Sequence, residues 1–220
     1  MVNTKKYVQY GAGNRSVKSW INFDSSPTLR IQKIPILGFF LRSKLNCKFD
    51  EDILYGDIVK GLPIENESVD GLFCSHILEH LSFDDFSIAL KNSFSYLKPG
   101  AIFRIILPDL EIYVNEYRKL LSSKNQDIRS GAAISFLKGT HLGTVNSRST
   151  LSLRLIEALG NNKHLWMWDY PSLKRSLLNE GFVSVRKFNI SNSEDPTFLL
   201  PERTYQFNYA LAVECRKPPF

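Results

Sequence analysis

His76 and His80 stand four positions apart in the run Cys74-Ser75-His76-Ile77-Leu78-Glu79-His80, and Asp109 follows Pro108 further on. An imidazole titrates near neutrality, so two of them suit removal of a proton from a hydroxyl or ammonium group. Asp109 is a third candidate base. A second set lies upstream. Gly11-Ala12-Gly13-Asn14 contains a Gly-x-Gly turn, which lets backbone approach a ligand with no Cβ in the way. Asp24, followed by Ser25, ends an apolar stretch, and a carboxylate so placed can accept from both hydroxyls of a ribose. His76, Glu79 and His80 also fit the H-x-x-E-H pattern of inverted zinc peptidases. That chemistry needs one long helix carrying both histidines, and a third ligand further on. Here His76 leaves a strand and Ser82-Phe83-Asp84-Asp85 starts a fresh helix, so no metal is assigned.

These residues need elements that bring them to one edge. VDGLFCS (69–75) and AIFRIIL (101–107) read as buried strands. Between them Phe83, Phe86, Leu90, Phe94 and Leu97 recur at helical spacing, closed by Lys98-Pro99-Gly100. Strand, helix, turn and strand with apolar strands make one parallel crossover of an α/β sheet. Ligands of such sheets bind outside the carboxyl ends of the strands. Residues 5–10, 19–23 and 53–55 read as further strands, ending at Gly11, Asp24 and Gly56-Asp57. Downstream, Asp109 caps a helix whose buried stripe is expected to be Leu110, Val114, Tyr117 and Leu121. A short helix at 132–137 and another at 150–159 follow. Asp169-Tyr170-Pro171 opens the last main helix and Gly181 ends it, before two closing strands in FVSVRKFNI and YQFNYALAVECRK.

At 220 residues and 43% apolar content the chain fits one soluble globular domain, and no apolar run approaches the ~20 residues that span a bilayer. No signal-peptide core is visible near Met1, so the expected compartment is the cytoplasm. Cys47, Cys74 and Cys215 have no metal-ligand spacing and read as thiols of a reducing compartment. The net charge of +6 is uneven: the first fifty residues carry +7 and the remainder −1. Within that basic quarter, Ile34 to Leu41 is largely apolar and flanked by Arg30, Lys33, Arg42, Lys44 and Lys48. Residues 30–48 read as an irregular segment packed over the sheet edge, with peripheral contact to an anionic membrane as the alternative.

Only thirteen positions separate Gly11 from Asp24, and Arg15 stands where a dinucleotide fingerprint wants its third glycine, which counts against a nicotinamide oxidoreductase. YGAGN, WINFDSSP, GDIVKGLP–ENESVDGLFCSHILEHL and YLKPGAIFRIILPDL, in that order and spacing, resemble the class I S-adenosylmethionine-dependent methyltransferases, closest to the group called methyltransferase type 11. HLWMWDYPSLKRSLLNEGF looks like the version found among bacterial surface-polysaccharide genes. The resemblance implies a Rossmann-like three-layer α/β sandwich. Its seven-stranded sheet would be mostly parallel with an antiparallel last strand, and the first helix would be shortened.

It also implies S-adenosylmethionine as cofactor. Gly11, Ala12, Gly13 and Asn14 would then face its methionine part, Asp24 with Ser25 its ribose, Asp57 and Ile58 its adenine, and Ser75 its sulfonium region. His76, His80 and Asp109 remain the candidate catalytic residues. Gln9 departs from the pattern, standing where the family commonly has an acid. Residues 122–168 read as a helical lid over the acceptor, inside a single domain of residues 1–220, with His141, His164, Trp166 and Trp168 as candidate acceptor contacts. The expected reaction is methyl transfer to a small molecule or glycan. Nucleic acid is disfavoured, because the N/D-P-P-Y/F tetrad that resembles base-methylating enzymes is absent. A non-catalytic binding module on the same fold is the alternative.

Overall fold

The computed structural model describes residues 5–34, 48–143, 163–202 and 209–220. Its seven strands are β1 (Tyr7–Tyr10), β2 (Ile21–Asp24), β3 (Ile53–Tyr55), β4 (Val69–Ser75), β5 (Leu97–Pro108), β6 (Val183–Phe188) and β7 (Ala210–Arg216). They form one sheet in the order β3-β2-β1-β4-β5-β7-β6. All neighbours from β3 to β5 pair in parallel, and β7 runs antiparallel to both β5 and β6. This is the sheet expected from the sequence. Strand β4 coincides with the apolar run 69–75 because both of its faces are covered.

Alternation along the strands divides the core in two. Val8, Tyr10, Leu72, Cys74, Phe103, Ile105, Val213 and Cys215 point to one face. Helix α1 (Pro27–Lys33) follows β2; α2 (Phe83–Tyr96) covers this face with Phe86, Ala89 and Leu90, and a later helix, Tyr170–Asn179, covers it with Leu173 and Leu177. Ser82 caps α2 by accepting the Asp85 N–H at 3.1 Å, and Asp169 caps the later helix in a reciprocal pair with Ser172. Trp168, which the sequence offered as an acceptor contact, belongs to this core. It is 2% exposed and its ring stacks on Phe86 at 4.0 Å.

The opposite face is built differently. Between β1 and β2 the chain makes only two turns, so this connection supplies no helix to cover Tyr7 and Phe73. Trp20 and Phe198 take that space, meeting edge to face at 5.7 Å. Phe198 comes from the β6–β7 connection, through a tight turn at Pro196–Phe198. Arg104 on β5 faces the same layer at 0% exposure, between the carboxylates of Glu202 and Glu214. A connection with no helix of its own is thus compensated by a distant loop that brings both an aromatic ring and a buried ion pair.

After β5 come α3 (Leu110–Leu121) and α4 (Gln126–Gly139). The stripe expected on α3 is not buried: no residue of the helix is, and Val114 and Leu121 are 38% and 43% exposed. Leu110 and Tyr117 of that stripe are half-buried, and Ile112, Tyr113, Glu116 and Leu120 join them in place of Val114 and Leu121. The reason is the partner: Tyr117 meets Phe136 of α4 at 5.7 Å and Tyr113 stacks on Tyr209 at 5.4 Å. Helix α4 is longer than the expected 132–137, because Asn125 caps it early by accepting the Asp127 N–H at 2.8 Å. The helix expected at 150–159, Cys47 and most of the basic segment 30–48 lie outside the described residues. Among the described residues no helix is long and apolar enough to cross a membrane.

Candidate active site

Parallel register brings the strand tips level. Tyr10 lies beside Cys74, Asp24 beside Tyr55 and Ser75 beside Ile106. Gly11, Asp24, Asp57, Ser75, His76 and Asp109 therefore share one edge. Asp24 is 5% exposed and holds the first loop to β2: Oδ2 accepts the Gly13 N–H at 3.0 Å and Oδ1 the Ser26 N–H at 2.8 Å. Each oxygen retains a lone pair beyond these bonds. The Ala12 N–H donates to the Phe23 carbonyl at 3.0 Å, while Asn14 and Ser25 are exposed. Asp57 Oδ1 accepts the Val59 N–H at 3.0 Å and Oδ2 lies 3.5 Å from Lys60. Ile58 is buried in the core and its carbonyl accepts from Asn92 at 2.7 Å, so its side chain backs the edge rather than projecting from it. The Ser75 hydroxyl is buried with no hydrogen-bond partner.

One step beyond Ser75 the backbone turns left-handed at His76, with φ +53°. That conformation costs a residue with a Cβ about 1–2 kcal/mol. The His76 N–H donates to the Ile106 carbonyl at 2.9 Å, and its Nδ1 lies 3.1 Å from Oε1 of Glu79, a residue 1% exposed. A carboxylate accepts, so Nδ1 carries the proton and Nε2 is the basic nitrogen. His80 donates from Nδ1 to the Lys163 carbonyl at 2.9 Å. The Glu79 carbonyl takes the N–H groups of Leu165 and Trp166 at 2.8 and 3.1 Å, and His164 Nε2 lies 4.0 Å from Glu79 Oε1. The His164 ring is 4.9 Å from that of His80 and 5.0 Å from that of His141. Of the chain's four histidines, His76, His80 and His164 gather about Glu79, and His141 packs on His164. Asp109 stands apart at 0% exposure, with one oxygen accepting the Glu111 N–H at 3.0 Å and the other 3.2 Å from Lys187.

Residues 40–105 match the family model described as a methyltransferase domain. That segment, inside this sheet, is similar to the methyltransferase domain family. PigF solved with S-adenosylhomocysteine has the same fold, at a TM-score of 0.50 and 16% identity over 97% of this chain and 56% of that one. A methyltransferase of Thermotoga maritima is similar over 99% of this chain and 84% of its own, at 16% identity and a TM-score of 0.48. The phosphoethanolamine N-methyltransferase 2 of Haemonchus contortus, solved with S-adenosyl-L-methionine, is 12% identical over 99% of this chain and 50% of that one, at a TM-score of 0.49. No curated protein matches the chain in sequence.

The residues at this edge fit a nucleoside cofactor: an orphaned buried hydroxyl at Ser75 and a carboxylate with spare lone pairs at Asp24. Gln9 cannot replace the missing acid there, since it is buried and donates to Asn22 at 2.6 Å. Gly11 has φ +69°, and a Cβ on it would overlap the Ile77 side chain. Gly11→Ala will therefore lower the unfolding temperature of the protein by at least about 2–4 °C, the equivalent of 1 kcal/mol in a chain this size. It will also weaken S-adenosylhomocysteine binding in a calorimetric titration. A variant that melts and binds as wild type would show that the loop tolerates a side chain.

Glu79 is the residue that sequence reasoning passed over. The sequence offers it only as part of a zinc-peptidase pattern, yet its place three residues after His76 is the available signal. Of the expected acceptor contacts, His164 lies beside Glu79 and His141 beside His164. Burial drives the His164 imidazole down to about 4, with His80 and His141 adding to that and Glu79 opposing it. Trp166, unlike Trp168, is 43% exposed, with its ring 5.1 Å from Phe83.

Proposed function

We infer that the protein is an S-adenosylmethionine-dependent methyltransferase that acts on a hydroxyl or ammonium group of a small molecule or glycan, with His76 as the proton acceptor. The observation that carries this reading is the His76–Glu79 pair at 3.1 Å, set one residue past Ser75 at the tip of β4. Bound S-adenosylmethionine supplies a methyl group on a sulfonium, a leaving group already activated, so the protein's share is alignment and exclusion of water. Gly11, Ala12, Gly13 and Asn14 would hold its methionine part, Asp24 and Ser25 its ribose, Asp57 with Ile58 its adenine, and Ser75 the region of its sulfur. Glu79 orients the His76 ring and stabilises the imidazolium once Nε2 has taken the acceptor's proton. Asp109 anchors the end of β5 through α3 and Lys187, and acts on the site by positioning it. Residues 122–143 and 163–168, the described part of the expected lid, would cover the acceptor, and the exposed Trp166 ring offers a face on which a sugar can stack.

The test is transfer of labelled methyl to a panel of glycosides and amines by wild type and by the His76→Ala/His80→Ala double variant. Turnover should fall by about 10²–10⁴-fold, the usual contribution of a positioned base, with S-adenosylhomocysteine affinity nearly unchanged. Full turnover in the double variant removes both histidines from the reaction.

A further inference from the structure

Glu79 has an oxygen with nothing to do. Oε1 faces His76 and His164, whereas Oε2 is buried with no hydrogen-bond partner, as is His164 Nδ1. Buried carboxylate oxygens are normally hydrogen-bonded, paired with a charge or bound to a metal. The ligand atoms of Glu79, His80 and His164 all lie within 4.8 Å of one another. The side chains of Glu79 and His164 are 1% and 9% exposed. His80 gives its Nδ1 proton to a backbone carbonyl, so Nε2 holds the lone pair, the arrangement by which proteins orient a metal-binding imidazole. The third member is anchored in its own right, because the two residues after His164 donate to the Glu79 carbonyl. The long helix that a zinc peptidase requires is missing, but a separate segment of chain provides the third ligand instead.

We propose that Glu79, His80 and His164 form a divalent transition-metal site on the acceptor side of the cofactor's place. Two imidazoles and a carboxylate suit Zn²⁺, Mn²⁺ or Co²⁺ better than Mg²⁺ or Ca²⁺, which prefer oxygen alone. Zinc–ligand bonds of about 2.0–2.2 Å place the ligand atoms of a tetrahedron roughly 3.3–3.6 Å apart, so the three atoms must draw in by about an ångström. Three protein ligands leave a position open for an acceptor oxygen. A hydroxyl bound there sheds its proton more readily, and that proton passes to His76, which the same Glu79 orients. This role rests on the methyl-transfer reading above; the metal site itself does not.

The experiment uses the full chain, stripped with a chelator and titrated with Zn²⁺ by calorimetry, with metal content measured after gel filtration and Co²⁺ as a spectroscopic probe. The expected result is one equivalent of zinc and visible cobalt bands, with binding weakened at least about tenfold in His80→Ala and in His164→Ala. Substoichiometric uptake by wild type, or unchanged affinity in both variants, overturns the site. Thermal unfolding in chelator checks that each variant folds, and Glu79→Gln, which keeps the volume of the buried side chain, gives the same readout if an alanine variant does not. A parallel titration with S-adenosylhomocysteine separates the two readings. Protein that takes the nucleoside but no zinc overturns the metal site alone, and protein that takes zinc but not the nucleoside overturns methyl transfer alone.

Discussion

Arg104→Ala will destabilise the protein by about 3–5 kcal/mol, the loss expected when one partner of a buried ion pair is removed. Arg104 is fully buried, its Nε on Glu202 and its Nη1 2.6 Å from Glu214, and both carboxylates are at most 5% exposed. Removing the guanidinium strands two acids in an apolar layer. Each keeps other bonds, since Glu202 accepts the Ser191 N–H at 2.8 Å and Glu214 accepts the Glu194 N–H at 3.2 Å. The connection from β6 to β7 that bears Phe198 is thus stitched to the sheet through these carboxylates, and its loss would uncover Trp20 and Tyr7. The measurement is equilibrium denaturation of wild type and variant, accompanied by the neutral combination Arg104→Met, Glu202→Gln, Glu214→Gln. Replacing a whole buried ionic cluster is often neutral or stabilising, so the triple variant should recover most of the loss. A single variant within about 1 kcal/mol of wild type would mean that water reaches the cluster and screens it.

Asp24→Ala should abolish measurable S-adenosylhomocysteine binding. Hydrogen bonds to a charged acceptor contribute about 1.5–3 kcal/mol each, so losing two corresponds to roughly 10²–10⁴-fold in affinity. A second effect adds to it, because the Gly13 and Ser26 N–H groups lose their acceptor and the first loop is no longer held to β2. Asp24→Asn separates the two. Its remaining oxygen keeps one loop contact, and the amide now donates where a ribose hydroxyl would donate, so an intermediate loss is expected. Calorimetry on variants shown to be folded reads the outcome. Wild-type affinity in Asp24→Ala would take the ribose from this carboxylate and give it to another residue of the edge.

The sequence alone determined most of the sheet and its working edge. Strand β4 is legible to the residue because a strand covered on both faces is apolar throughout, and caps such as Ser82, Asp109 and Asp169 announce their helices through local hydrogen bonds. The tips at Gly11, Asp24, Asp57 and His76 follow from those boundaries, since parallel strands put their carboxyl ends on one side. What the tertiary structure decided are meetings between distant segments, which no spacing encodes. His164 reaches Glu79 only because residues 163–166 dock on that turn. Trp168 sinks into the core because Phe86 is there to stack on it, and on α3 Val114 and Leu121 stay exposed while Tyr113 and Tyr117 face inward, because the helix's partners are Phe136 and Tyr209 rather than the sheet. Periodicity states how much of a face is apolar; only the packed chain states what that face will meet.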